Sequence, residues 1–155
     1  MAKHSELDRL GLKAALEQAR KSYSEGGIPI GSAIVGTSSL EILGVGHNQR
    51  IQKESPILHG ETAALDAAGR LKAEIYRGAT IFTTLSMCTG AILLYNIPRV
   101  VIGENVTFKG EEDLLKSRGV EVVVLDDPEC KELMQKFIKA KPEDWYEDIG
   151  EPAAR

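Results

Sequence analysis

The chain has little of what staples, anchors or charges a protein toward a special partner. Only two cysteines, Cys88 and Cys130, stand in its 155 residues. A chain of this length buries a real core without a disulfide, so no pairing between them is expected. No apolar run approaches the roughly 18 to 20 residues that span a bilayer. Met1-Ala2-Lys3-His4-Ser5 leads into a charged amphipathic segment, not the apolar centre of a signal peptide. No membrane partner is expected, and the expected location is cytosolic, with room for a nuclear share. Basic residues number 19 against 23 acidic ones, for a net charge of -4, and no block of Lys and Arg forms. Affinity for a phosphate backbone rests on clustered cations, so no nucleic-acid partner is expected. A small neutral ligand fits better.

Repeats, low-complexity tracts and linkers are also missing, which leaves one domain over 1–155 as the expected organisation. Ser5 with Asp8 reads as a helix cap, and Leu7, Leu10, Ala14 and Leu16 to Ala19 continue an apolar stripe to about Ser24, ended by Gly26-Gly27. Ile30 to Val35 and Ile42 to Gly46 read as a hairpin around a turn at Gly36 to Ser39. An Ala-rich helix runs from His59 to a C-cap at Gly69, and Thr80 to Thr84 reads as a strand. A helix over Cys88 to Asn96 stops before Pro98. The strands Arg99 to Ile102 and Val120 to Leu125, linked by the charged helix Glu111 to Ser117, suggest a parallel crossover. Asp127-Pro128 opens a further helix, and Pro142 starts a short acidic, aromatic tail helix over about 142–149. The order αββαβαβαβαα predicts an α/β fold: three layers, α/β/α, around a central five-stranded mixed sheet.

The chemistry-bearing triplet is His59-Gly60-Glu61. An imidazole two residues before a carboxylate, at the opening of a helix, is how a zinc-dependent nucleobase deaminase sets a metal ligand beside its proton carrier. Alone, such a triplet is more often a solvated helix start. Its surroundings reverse that reading. Glu25-Gly-Gly-Ile-Pro-Ile-Gly31, Gly46-His-Asn-Gln-Arg50, Leu58-His-Gly-Glu61, Cys88-Thr-Gly-Ala-Ile92, Gly103-Glu-Asn-Val106 and Asp144-Trp-Tyr-Glu-Asp-Ile-Gly150 together resemble the fungal, yeast-type cytosine deaminases of the cytidine deaminase-like superfamily. The last stretch resembles the C-terminal lid of enzymes that act on free cytosine.

That resemblance implies zinc-dependent hydrolysis of cytosine to uracil and ammonia in pyrimidine salvage, by a homodimer. Glu61 would be the acid/base residue and His59 and Cys88 zinc ligands. Asn48 and the Gly60 backbone would hold the pyrimidine carbonyl edge, and Asp148 would accept from the exocyclic amine. Phe108 and Trp145 would wall the ring, and the Ser86 backbone would touch the leaving side. On residue type alone Asn48 could bond its own turn, the two aromatics could be core, and Asp148 could be a solvated acid. Cys130, beside Leu133 and Met134, reads as a buried small hydrophobe.

One stretch departs from the pattern. Between Ser86 and Thr89 the chain is three residues shorter, and a single Cys88 stands where two cysteines are expected, in the place of the first or of the second. Leu85 and Ala91, three residues to either side, bind no zinc, whereas a catalytic zinc site ordinarily has three protein ligands and a water. His47 is nearby but does not bind metal in the family pattern. The shortening also rotates the downstream residues by about 60°, which the loop or the first helical turn must absorb. An alternative reading is therefore a catalytically inactive, deaminase-like dimerisation or binding protein.

Overall fold

The computed structural model describes residues 5–152. The sequence-based reading at Met1 to His4 and the last three residues of the expected domain lie outside them. Helix α1 (Glu6–Ser24) begins where the Ser5 hydroxyl accepts from the Asp8 N–H at 3.1 Å, a side-chain cap for an amide that the helix leaves unpaired. Strands β1 (Gly31–Gly36) and β2 (Ile42–His47) form the expected antiparallel hairpin. Helix α2 (Gly60–Ala68) follows, ending at Gly69 with φ 82°, and then comes α3 (Ala73–Arg77). Strand β3 (Ala79–Thr83), α4 (Thr89–Leu94), β4 (Arg99–Ile102), α5 (Glu112–Ser117) and β5 (Glu121–Val124) alternate. Helices α6 (Pro128–Ala140) and α7 (Pro142–Asp148) complete the chain, α6 capped by Asp127 through the Cys130 N–H at 2.9 Å.

Two elements differ from expectation. Helix α3 is extra: its five residues are too short for an apolar period to register, and it is fixed by tertiary contact through the buried Tyr76, whose hydroxyl donates to the Gly69 carbonyl at 2.5 Å. Helix α4 starts one residue late and ends early, because Cys88 has φ -107° and ψ 74°, outside helical values, and Asn96 has φ 53°.

The sheet runs β2-β1-β3-β4-β5. Strand β1 is antiparallel to both β2 and β3, while β3, β4 and β5 are parallel, so α4 and α5 are crossovers. On one face Ile34, Ile81, Val100 and Ile102 meet Ala64, Tyr76, Ile92 and Leu115 from α2 to α5. On the other, Ala33, Val35, Phe82 and Val101 meet Ala14 and Ala15 of α1. Both helical layers rest on bare backbone. A Cβ on Gly31 would lie 2.0 Å from the Ala15 carbonyl oxygen, and one on Gly46 would lie 2.4 Å from the Ala64 nitrogen. A third cluster, Ile28, Ile30, Leu85, Met134, Phe137 and Trp145, closes the sheet end at which the parallel strands finish. Among the described residues no helix is long and apolar enough to cross a membrane.

Candidate active site

Crevices at the carboxyl ends of parallel strands are where open α/β sheets gather ligands. Four segments meet there: the end of β2, the start of α2, the turn after β3, and α7. His59 is the N-cap of α2, in extended conformation (φ -70°, ψ 170°), so Gly60 and Glu61 fall in the first helical turn. First-turn amides lie outside the helical hydrogen-bond ladder, and the Gly60 N–H is one of them. Gly60 sits tightly over β1, since a Cβ there would lie 2.9 Å from the Ser32 hydroxyl.

Glu61 is wholly buried. Its Oε1 accepts from the Met87 N–H at 2.7 Å and the Cys88 N–H at 3.4 Å, and its Oε2 has no partner. Burial pushes the Glu61 carboxyl above its usual value, against the pull of those amides and of His59. A buried carboxyl raised in this way can hold a proton and give it up. Cys88 lies close enough to feel the same groups. Burial, then the negative charges of Glu61 and Asp148, push its thiol far above the ordinary range.

The tail helix enters through Asp148, which is buried and multiply held. Its Oδ1 accepts from Arg50 Nη1 at 2.7 Å and its Oδ2 from Asn48 Nδ2 at 3.1 Å, and Oδ2 stands 3.8 Å from His59 Nε2. Asn48 does both things open to it: its Oδ1 accepts from the Arg50 N–H at 3.0 Å, within its own turn, while Nδ2 reaches across to Asp148. Phe108 and Trp145 meet edge to face, with centroids 6.2 Å apart and planes at 85°, beside Met87 and Leu85. Ser86 is buried with an unpartnered hydroxyl, and its carbonyl lies under Gly110.

Each sequence-predicted site residue thus belongs to one connected cluster. His47 does not join it, because both of its ring nitrogens are engaged by Gln18 and Glu25. Cys130 packs against Gly103, with no hydrogen bond to any member of the cluster among the described residues. Sequence reasoning missed Arg50, whose Nη1 also donates to the carbonyls of Asp148 at 3.0 Å and Glu147 at 3.3 Å. The available signal was a cation ending the Gly46–Arg50 stretch and an acidic tail about a hundred residues on.

Two side chains at the site could ligate zinc. His59 Nε2 is buried and without a hydrogen bond, and Cys88 is at hand. Among the described residues, however, no group of three or more His, Cys, Asp and Glu side chains is disposed to hold a metal. Glu61 has Oε1 committed to the Met87 amide and only Oε2 without a partner. Two donors do not fit a catalytic zinc, which takes three.

A three-layer α/β/α sandwich with His59 and a buried Glu61 at one helix start, and Cys88 at the next, defines the class of the nucleobase and nucleoside deaminases. Residues 5–104 match the family model described as the cytidine and deoxycytidylate deaminase zinc-binding region. Over 147 residues the chain is 64% identical to the cytosine deaminase of Candida albicans, covering 93% of this chain and 97% of that protein. It is also 35% identical over 100 residues to the tRNA-specific adenosine deaminase of Bacillus subtilis, covering 62% of this chain and 61% of the relative. Among solved structures, a guanine deaminase from Nitrosomonas europaea superposes with a TM-score of 0.64 at 18% identity, over 88% of this chain and 86% of that one. The chain belongs to the cytidine and deoxycytidylate deaminase family, with its cytidine deaminase-like fold.

Proposed function

We propose that this chain is a single deaminase domain whose pocket serves hydrolytic deamination of free cytosine to uracil and ammonia, with α7 as its lid. The observation that carries the reading is the pairing of Asn48 with Asp148 beside Glu61. One hydrogen of the Asn48 amide is committed to Asp148 and the other is left for a carbonyl. Each Asp148 oxygen accepts one protein bond and retains a lone pair for an amine. A donor next to an acceptor, against the edge-to-face pair Phe108 and Trp145, matches the carbonyl and amino groups of a flat pyrimidine. Glu61 is placed to carry protons between attacking water, the ring nitrogen and departing ammonia. A free base is favoured over a polynucleotide by the net charge of -4 and by the Candida relative's match, which covers 93% of the chain.

Zinc in this family fold would supply hydroxide at neutral pH. His59 and Cys88 fall one ligand short of it. That shortfall favours a second reading: a deaminase-like protein that binds base or dimerises without turnover. Zinc content of the purified protein, measured with cytosine loss and uracil formation, tests both. Uracil formation with about one zinc per chain supports the enzyme. Substoichiometric zinc without uracil, both restored by inserting a Pro-Cys-Asp segment before Met87, supports the second reading. No gain on insertion refutes a pocket intact apart from its metal.

The assembly proposed is a homodimer. Its support is an apolar groove of about 480 Å³ over α2, α3 and α4, lined by Leu65, Leu71, Tyr76 and Tyr95, with Leu94 70% exposed on its rim. Light scattering on the native chain and on Leu94→Glu tests it, the substitution giving monomers.

A further inference from the structure

The last turn of α1 is tied to the end of β2 by polar side chains that the proposed chemistry does not use. His47 is 4% exposed, with Nε2 2.7 Å from Glu25 Oε1 and Nδ1 3.0 Å from Gln18 Oε1. Glu25 Oε1 also accepts from Gln52 Nε2 at 3.4 Å. The same Nε2 reaches the Asn48 carbonyl at 3.1 Å and the Ser22 hydroxyl at 3.1 Å, and that buried hydroxyl donates to the Asn48 carbonyl at 2.8 Å. From the opposite side the Asn48 N–H donates to the Ile30 carbonyl at 2.9 Å. The arrangement depends on a missing side chain, because a Cβ on Gly27 would stand 2.1 Å from Gln52 Nε2.

We infer that Ser22, Glu25, His47 and Gln52 are a positioning frame for Asn48, setting the angle at which its amide meets the carbonyl of a bound pyrimidine base. The inference rests on the base-binding reading above. Hydrogen bonds weaken steeply with misalignment, so a donor that reads a carbonyl needs a fixed Cα as well as a fixed rotamer. The Asn48 rotamer is set by Asp148 and Arg50, and its backbone by the frame. Glu25 is the hub, accepting from the imidazole on one side and from Gln52 on the other. With a proton on Nε2 the His47 ring donates to Glu25, and Gln18 can turn either its oxygen or its NH₂ toward Nδ1 to match what that nitrogen offers.

The test compares Ser22→Ala and Glu25→Ala with the control Glu17→Ala, on the exposed side of α1. Calorimetry measures affinity for cytosine and for 4-aminopyrimidine, which lacks the carbonyl. The frame predicts a loss of about tenfold for cytosine, the worth of one aligned hydrogen bond, and under about twofold for the carbonyl-free ring. Glu25→Gln, which keeps an acceptor for His47, recovers most of the cytosine affinity. Equal weakening of both ligands marks a general loss of structure and overturns the inference. In the ligand-free protein, the Asn48 side-chain amide resonance shifts in both frame variants and not in the control; an unmoved resonance also overturns it. Failure of the native protein to bind cytosine refutes the base-site reading instead, and the amide resonance then decides on the frame by itself.

Discussion

Arg50 and Asp148 join the loop before α2 to the end of α7, and cutting that joint has a calculable cost. At 2.7 Å, and at an effective dielectric constant of about 20, the two charges attract with about 6 kcal/mol, a ceiling that desolvation reduces. Removing one partner of a buried pair strands the other, at about 3–5 kcal/mol. The Asp148 side chain is 1% exposed but that of Arg50 is 23% exposed, so water relieves part of the penalty. About 2–3 kcal/mol is expected for Arg50→Met, equivalent to a fall in Tm of about 5–10 °C in a chain of this size. Asp148→Asn removes the charge that needs compensation and should cost about 1 kcal/mol, for one weakened hydrogen bond. The double variant should then be more stable than the sum of the two losses by about 1.5 kcal/mol. Urea unfolding of the four proteins closes the cycle. A loss under about 0.5 kcal/mol for Arg50→Met, or additivity within that margin, would mean that the charges do not hold α7 down.

Burial raises the Glu61 carboxyl above its usual value, so the folded chain binds that proton more tightly than the unfolded one, and stability declines as pH climbs from below 4.5 through the folded value. Metal-free Glu61→Gln should therefore exceed the native chain in urea midpoint at pH 7, the margin closing toward pH 4.5; a margin independent of pH would refute this. Burial, with Asp127, pushes the Cys130 thiol far above the ordinary range, so Cys130 should react with a thiol reagent only on unfolding. Prompt reaction in native Cys88→Ala protein would contradict its burial. Gly31→Ala drives a Cβ against the α1 backbone, 2.0 Å from the Ala15 carbonyl oxygen, and should cost at least about 3 kcal/mol by denaturant melt.

The strands were legible because their apolar runs are bounded by glycine and proline, and α1 and α6 because Ser5 and Asp127 are caps in the sequence as well as in the structure. Helix α3 was not legible, since nothing local distinguishes Ala73–Arg77 from a loop until Tyr76 finds Gly69. In the site, His59 and Glu61 stand out by spacing alone. Asn48 and Asp148, 100 positions apart, are each legible only through a family resemblance, as separate contacts to the base, and the bond between them is visible only in the structure. Arg50 and Glu25 stand in the Gly46–Arg50 and Glu25–Gly31 stretches that carry that resemblance, yet neither is singled out by type or spacing. A charged residue there looks like any solvated surface group until its partner is known.

The turn that the family resemblance reads as three residues short is compatible with an intact fold, for a reason visible in its hydrogen bonds. The three residues Ser86, Met87 and Cys88 take irregular conformations and α4 begins only at Thr89, so the change in facing is absorbed before the helix starts and the apolar contact of Ile92 is retained. In that compressed turn two successive amides, of Met87 and Cys88, converge on Glu61 Oε1. The carboxylate that would have to serve as a third metal ligand is thus the acceptor that satisfies the turn. A metal bound through Oε1 would strand these partly buried amides at about 1–3 kcal/mol each, and one bound through the unpartnered Oε2 must accept the direction that the amides impose on the carboxylate, which opposes the metal in addition to the missing thiolate. Lengthening the turn relieves both obstacles at once. The insertion before Met87 should therefore raise zinc affinity by more than a second cysteine placed within the present length, such as Leu85→Cys, and equal gains from the two would show that Glu61 was never in competition.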